Sequence, residues 1–418
     1  MSNEPSKPRS SFLKALGPGI LVAATGVGAG DLATGAFVGS NLGVTVLWAV
    51  VVGAFFKFVV NEGLARWQLA TGKTLIDGAV DAFSVLVAVL FLPYLFLWSF
   101  FVGSALMSAC GATFHAIAPV FDDAGRAKQV WGVAHSVLGI VLVLAGGFRL
   151  FEKVMSVCIA IMFVTVVVTS VCLWPGTGTV LSALVPNPRS LEGEGLEWTV
   201  ALMGGVGGTV TVLCYGYWIR EMGREDASAL GACRLDLGIA YGMTALFGIG
   251  MVIIGSHVTL DPDKGGATLI VDLAERLEEP LGPVGKWAFL IGAWGAVFSS
   301  LFGVWQSIPY IFADVWGRLR EKKGAPPEAV DTRSRPYRSY LLFISIVPMV
   351  GLVVKFQTIQ RTYAIVGAMF VPLLGVALLI LNTRRAFIGE QLRNRWPSIA
   401  ALVLAIVLFG AYVVSKFR

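Results

Sequence analysis

The stretch that decides the fold reads Ala23-Ala24-Thr25-Gly26-Val27-Gly28-Ala29-Gly30-Asp31-Leu32-Ala33-Thr34-Gly35. It lies in an apolar run, residues 16–47, that is long enough to cross a lipid bilayer. Three glycines at alternate positions disfavour a regular helix, since each costs roughly 1 kcal/mol relative to alanine. A carboxylate, Asp31, follows directly, and an acid within a membrane is expensive and often functional. The stretch therefore predicts a broken transmembrane helix that carries an ion or substrate site.

The composition is that of an integral membrane protein. Of the 418 residues, 56% are hydrophobic and only 14% are charged, whereas soluble domains carry about 25% charged residues. The net charge of +6 does not indicate nucleic-acid binding, because the basic residues concentrate in alternate loops, as the positive-inside rule describes. The five cysteines include no CxxC pair, so neither a disulfide framework nor a thiolate metal site is expected.

Apolar segments of about 20 residues or more divide the chain into predicted membrane spans. Eleven such spans are expected, at roughly residues 16–42, 44–71, 84–111, 130–148, 153–174, 197–219, 234–256, 284–315, 338–355, 359–382 and 396–415. The loop at 257–283 is expected to contain a short amphipathic helix through Leu269, Leu273 and Leu277.

The distribution of charge predicts the topology. More basic residues fall in the loops on the side of the N-terminus, which places that terminus in the cytoplasm and the C-terminus outside. We expect a single transmembrane domain over 1–418 in the cell (inner) membrane, in contact with lipid, without a signal peptide. It is expected to be a monomer or a weak oligomer, with no cofactor and no nucleic-acid partner.

A second glycine-rich segment lies in the sixth predicted span. There Gly205-Val206-Gly207-Gly208-Thr209 matches Gly26-Val27-Gly28-Ala29-Gly30 of the first span. The two interrupted spans are the first and the sixth, five positions apart in the order of spans. This spacing is typical of an inverted repeat, in which the substrate lies between the breaks. The repeats would cover about 16–174 and 197–382, with an extra helix at about 396–415. Alternatively, both segments are small-residue faces for helix packing.

Four residues near these breaks are candidate ligands of an ion. The carboxylate of Asp31, the hydroxyl of Thr211 and freed backbone carbonyls near Gly28 and Gly208 would form an all-oxygen set suited to hard cations. Asp31 could equally hold a substrate ammonium, carry a proton, or cap the outer half of the helix.

Other polar and aromatic residues allow two interpretations. Three aromatic residues follow the second break: Tyr215, Tyr217 and Trp218. They could line an organic-substrate pocket or belong to an aromatic belt at the membrane surface. The second span carries Lys57 with Asn61, and Glu62 with Arg66, at the i,i+4 spacing that allows pairing on one helix face. We interpret Lys57, Glu62 and Arg66 as a structural or gating ion-pair network.

Four segments of the chain have the character of family motifs. They are Gly17-Pro18-Gly19 before the first break, residues 65–75, Gly207-Gly208-Thr209-Val210 and Arg234-Leu235-Asp236. Together they resemble motifs of the Nramp metal-ion transporters, a branch of the amino acid–polyamine–organocation superfamily. The resemblance covers nearly the whole chain. It implies an all-α integral membrane protein with the LeuT-like fold, an inverted five-plus-five repeat, broken first and sixth helices, and an eleventh transmembrane helix.

The metal-binding motifs of that family are altered in this sequence. The family's first-span Asp-Pro-Gly-Asn aligns with Gly28-Ala29-Gly30-Asp31, so its aspartate corresponds to Gly28 and its asparagine to Asp31. Its sixth-span Met-Pro-His aligns with Thr211-Val212-Leu213. A hydroxyl therefore replaces the thioether that favours soft metals, which predicts a hard ion such as Mg²⁺ or Mn²⁺.

The third span bears on proton coupling. It has no acidic residue between Pro93 and His115, whereas proton-coupled members of the family carry acids there. Together with Leu213 in place of the histidine, this predicts weak or absent proton coupling.

The resulting expectation is a secondary transporter of a divalent cation that works by alternating access, and not an enzyme. Two alternatives stay open. One is a transporter of a small organic solute, an amino acid or amine, with its charged groups on Asp31 and the half-helix dipoles and with Tyr215 and Trp218 as the wall. The other is a non-transporting sensor on the same fold.

Overall fold

The computed structural model describes residues 27–224, 226–259, 268–320 and 330–416. Within these ranges the chain is almost wholly helical and contains no β-strand. Fifteen α-helices are present: α1 Thr34–Leu42, α2 Leu47–Thr71, α3 Leu75–Ala82, α4 Leu86–Ile117, α5 Ala124–Cys172, α6 Thr177–Ala183, α7 Glu194–Gly205, α8 Cys214–Glu221, α9 Leu230–Gly255, α10 Leu269–Arg320, α11 Arg335–Ile346, α12 Phe356–Ala368, α13 Phe370–Thr383, α14 Arg385–Leu392 and α15 Trp396–Lys416.

The first two predicted spans meet where the sequence places their boundary. A π-helical segment, Val27–Ala33, leads into α1, and the chain turns at Gly43, where φ is 63°. A short 3-10 segment, Gly43–Val46, then leads into α2. The first part of the first predicted span, with Gly17-Pro18-Gly19 and Gly26, lies outside the described residues.

The fourth and fifth predicted spans lie on one helix. The sequence predicts spans at 130–148 and 153–174, whereas α5 runs without interruption from Ala124 to Cys172. The predicted boundary rested on charged residues such as Arg149 and Lys153. Arginine and lysine are good helix formers, so a charged segment need not end a helix. At 1.5 Å per residue α5 is about 74 Å long, which is more than a bilayer requires.

The amphipathic helix expected before the eighth span is present. It forms the start of α10, and Leu269, Leu273 and Leu277 are all buried. Gly282, with φ of 65°, interrupts the helical conformation between this segment and the membrane-spanning part of α10.

Nine helices among the described residues are long and apolar enough to cross a membrane. A tenth span is added if the bent pair Phe163–Cys172 and Thr177–Ala183, which meet at 117°, counts as one. Exposed apolar side chains follow one face of α5 at Val137, Val141 and Leu144, as expected of a helix in contact with lipid. The chain is a multi-pass membrane protein.

The packing places the two glycine-rich segments at the centre. α10 packs against α5, α4 and the π-helical segment Val27–Ala33. α9 packs against α1 and α2, and α7 packs against α2 and α12. The first and sixth spans are therefore enclosed by helices from both halves of the chain.

Candidate functional site

The sixth span is broken as the sequence predicts. α7 ends at Gly205, and the chain resumes as a 3-10 segment, Val210–Leu213, before α8. Between them Gly207 and Gly208 have φ values of 69° and 91°. Residues with a Cβ rarely adopt this left-handed region, so the two glycines permit the unwinding. The break leaves backbone groups free to bind side chains or ions.

The first span approaches this break through Gly30. A Cβ atom on Gly30 would lie 2.5 Å from the carbonyl oxygen of Gly205, which is closer than a carbon atom can approach. Glycine therefore allows the backbones of the two spans to touch. Gly28 has a different neighbour, because its N–H donates to the hydroxyl of Ser300 on α10 at 2.8 Å.

Asp31 links the first span to the break in the sixth. Its side chain is fully buried, and Oδ2 accepts a hydrogen bond of 3.1 Å from the N–H of Gly207. Its second oxygen, Oδ1, is buried without a hydrogen-bond partner among the described residues. An unpaired buried carboxylate oxygen is costly, so this atom is a candidate for binding a cation or an N–H group.

Lys57 of α2 also belongs to this site. It is 2% exposed, and its ammonium group donates to the carbonyl oxygen of Gly204 at 2.9 Å and to that of Gly208. Lys57 and Asp31 meet the same break, Lys57 at the Gly208 carbonyl and Asp31 at the Gly207 N–H. The site therefore contains one acid and one base, both buried.

The sequence interpretation placed Lys57, Glu62 and Arg66 in one ion-pair network. In the structure Lys57 does not belong to that network. Positions five residues apart differ by about 140° around a helix, so Lys57 and Glu62 face different neighbours. Oε2 of Glu62 pairs with Arg66 at 2.8 Å and Oε1 with Arg234 at 2.7 Å. Arg66 also donates to Asn394 at 2.8 Å.

Two further side chains support the break from α2 and α9. The amide of Asn61 donates to the hydroxyl of Tyr241 at 2.6 Å, and that hydroxyl contacts the carbonyl oxygen of Gly207 at 3.5 Å. From α4, the indole N–H of Trp98 donates to the hydroxyl of Thr209 at 2.8 Å. Nothing in the sequence singles out Tyr241 or Trp98, because aromatic residues in apolar spans are common.

The other predicted site residues separate into two groups. Thr211 lies in the 3-10 segment after the break, and its hydroxyl is buried without a partner among the described residues. Tyr215 instead donates to Asp236 at 3.1 Å, and Asp236 pairs with Arg224 at 3.3 Å. Tyr215 therefore belongs to a separate ion-pair cluster and not to the contacts around Asp31.

A second buried polar cluster includes Tyr217, for which the sequence left two interpretations. Its hydroxyl donates to Asp314 of α10, which also accepts a hydrogen bond from Thr74 at 3.3 Å. Beside it, Asp77 of α3 pairs with Arg318. Among the described residues, no group of three or more His, Cys, Asp or Glu side chains is arranged to hold a metal ion.

The family assignment agrees with this architecture. Residues 19–417 match the family model described as natural resistance-associated macrophage protein-like, or Nramp. The chain belongs to the Nramp family. Among its relatives, the divalent metal cation transporter MntH of Staphylococcus aureus (strain Newman) is 21% identical over 312 residues. That alignment covers 72% of this chain and 66% of the relative, so the chain spans just under two thirds of the length of the curated relatives it matches.

Solved structures confirm the fold of this Nramp chain. A variant of the manganese transporter of Eremococcus coleocola superposes with a TM-score of 0.75 at 16% identity, covering 98% of this chain and 88% of that one. MhsT in complex with L-phenylalanine superposes with a TM-score of 0.63 at 14% identity, covering 96% and 98%. The chain therefore has the LeuT-like, all-α membrane fold.

Proposed function

We propose that this Nramp chain is a secondary transporter that moves a divalent cation across the membrane by alternating access. The observation that carries the proposal is Oδ1 of Asp31, a fully buried carboxylate oxygen at the helix break without a hydrogen-bond partner among the described residues. The hydroxyl of Thr211 is a second buried oxygen of this kind. The names of the MntH and manganese-transporter relatives support a divalent metal as the substrate class.

The chemistry of these oxygens favours a hard ion. Carboxylate, hydroxyl and backbone carbonyl groups, the last near Gly28 and Gly208, suit Mg²⁺ or Mn²⁺ better than soft metals, which prefer sulfur. We further propose that proton coupling is weak or absent, because the third span carries no acid between Pro93 and His115 and Leu213 stands where the family motif has histidine.

The proposed setting is one transmembrane domain in the cell membrane, with the N-terminus in the cytoplasm and the C-terminus outside. The bias of basic residues toward alternate loops supports this orientation. A monomer or weak oligomer suffices, because the proposed ligands all come from one chain.

Ion uptake into proteoliposomes tests the substrate and the coupling together. Purified protein should accumulate Mn²⁺ and Mg²⁺ in preference to Cd²⁺, with little change of an internal pH-sensitive dye. Uptake of Cd²⁺ without uptake of Mg²⁺ or Mn²⁺ would refute the ligand argument. Strong acidification driven by the metal gradient would refute weak coupling while leaving metal transport intact.

One observation favours a second candidate, a zwitterionic solute such as an amino acid. An acid, Asp31, and a base, Lys57, lie at the same buried break, and these could pair with the ammonium and carboxylate of such a solute. MhsT, which shares the fold, was solved with L-phenylalanine. The position of Tyr215 does not support this candidate. This residue was expected to line the solute pocket, but its hydroxyl is bound to Asp236. A panel of amino acids in the same uptake assay separates the two functions.

A further inference from the structure

Lys57 occupies a position at which a broken helix normally offers oxygen atoms to an ion. The last carbonyl groups of a helix lack intrahelical partners and carry the negative end of the helix dipole. In transporters with discontinuous helices, such ends and the unwound carbonyls beside them coordinate cations. Here the ammonium of Lys57 donates to Gly204, in the last turn of α7, and to Gly208, within the unwound segment.

The carbonyl of Gly208 is also the oxygen that the proposed function assigns to the transported ion. A lysine ammonium is a compact positive charge with three donors, so it satisfies two carbonyl oxygens much as a small cation would. Because α2 packs directly against α7, the side chain is tethered beside the break. Ammonium and metal ion cannot both occupy the same carbonyl at bonding distance.

The charge balance points the same way. With Lys57 in place, the charges of Asp31 and Lys57 sum to zero, whereas without Lys57 the break would carry the single negative charge of Asp31. Both side chains are buried, where charge interactions are screened much less than in water. A divalent ion therefore enters a site whose attraction for it is offset by a positive charge belonging to the protein.

We propose that Lys57 is a tethered cation that competes with the transported ion for the Gly208 carbonyl, so that ion binding displaces the Lys57 ammonium. The inference deepens the proposed function and rests on it. Lys57 thus lowers the affinity of the break for every cation and keeps the unloaded break electrically balanced. It also gives the site a means of expelling its ion, because the ammonium can return to the carbonyls as the ion leaves.

Calorimetric titration of Mn²⁺ into the purified full-length chain tests the inference. Lys57→Leu removes the charge without supplying a metal ligand, and Lys57→Gln removes the charge but keeps a donor for the carbonyls, so it should fold even if the leucine variant does not. Each should bind Mn²⁺ with a Kd lower than wild type by roughly tenfold or more. A purely structural role for Lys57 would weaken binding instead.

Lys128 provides a matched control. It is another buried lysine, 4% exposed, whose ammonium donates to a backbone carbonyl, that of Val354, at 2.6 Å. Lys128→Gln should leave the Kd for Mn²⁺ unchanged, because this lysine is bound to a carbonyl outside the two breaks.

The possible outcomes distinguish a failure of this inference from a failure of the proposed transport function. If wild type binds Mn²⁺ and a folded Lys57→Gln protein binds it equally or more weakly, the competition is refuted and divalent transport stands. Binding of Mn²⁺ that appears only in the Lys57 variants supports the competition strongly. If neither wild type nor either Lys57 variant binds Mn²⁺, the proposed function fails and the inference fails with it.

Discussion

The carboxylate of Asp31 accepts the N–H of Gly207 at 3.1 Å, and this bond joins the glycine-rich segment of the first span to the break in the sixth. The bond fixes Oδ2 and so orients Oδ1, which has no partner among the described residues. The left-handed conformation of Gly207, with φ of 69°, is part of the unwound backbone that makes this N–H available. One side chain thus both packs the two spans together and presents an oxygen to the site.

The contact between the two spans should not tolerate a larger residue at Gly30. In Gly30→Ala the new Cβ would meet the Gly205 carbonyl at 2.5 Å, and backbone atoms cannot move aside cheaply. We expect a loss of about 1–3 kcal/mol in stability, the usual cost of overpacking, seen as a lower midpoint of thermal unfolding in detergent.

Gly242→Ala is the control for that change. Gly242 lies within α9, and a Cβ there would meet nothing within 4 Å. Alanine is favoured over glycine inside a helix by about 1 kcal/mol, so this variant should be as stable as wild type or more so. Equal destabilisation by both substitutions would show that the approach of Gly30 to Gly205 is not what constrains the first span.

Thr211→Val should change binding and stability in opposite directions. The Thr211 hydroxyl is buried without a partner among the described residues, so an isosteric methyl group should be neutral or stabilising. If the hydroxyl is a ligand, however, the Kd for Mn²⁺ should rise by roughly tenfold, the loss expected for one hydrogen-bond-sized interaction of about 1.4 kcal/mol. Thermal unfolding and calorimetry on the same sample measure the two effects.

Thr199→Val gives the reverse pattern. The hydroxyl of Thr199 is buried and donates to the carbonyl of Ser190 at 2.8 Å. Its removal should cost about 1–2 kcal/mol of stability and leave Mn²⁺ affinity unchanged. A Thr211→Val protein that loses stability but keeps its affinity would remove Thr211 from the ligand set.

The ion pairs of Glu62 should be unequal in strength. Arg66 is 4% exposed in its side chain, whereas Arg234 is 54% exposed. Glu62→Gln leaves the buried Arg66 without a counter-charge and should cost about 2–4 kcal/mol. Arg234→Ala removes a solvent-screened partner and should cost at most about 1 kcal/mol. Similar shifts of the unfolding midpoint in both variants would contradict this ranking.

Much of the fold could be predicted because it follows from hydrophobic length and from glycine. The boundary at Gly43 and the break at Gly207 and Gly208 both appear where the sequence indicates them. The continuity of α5 could not be predicted, since charged helix formers interrupt an apolar run without ending the helix.

The candidate site was harder to predict from the sequence. Asp31 stands out because an acid in an apolar span has few structural roles. The partners of Lys57 could not be foreseen, because local spacing suggests pairs on its own helix, whereas its ammonium binds backbone carbonyls that lie 147 and 151 residues further along the chain. The hydrogen-bond partner of Tyr215 could not be foreseen either, because its bond to Asp236 depends on how α8 and α9 pack.

The most direct test of the account is calorimetric titration of Mn²⁺, Mg²⁺ and a panel of amino acids into wild type and Asp31→Asn, with Asp122→Asn as the control. Asparagine keeps a side-chain oxygen for the Gly207 N–H but removes the charge, whereas Asp122 is an exposed acid. The account predicts saturable binding of both ions to wild type and to Asp122→Asn, and none to a folded Asp31→Asn protein. Undiminished metal binding by Asp31→Asn, or heat from an amino acid and from no metal, would contradict it.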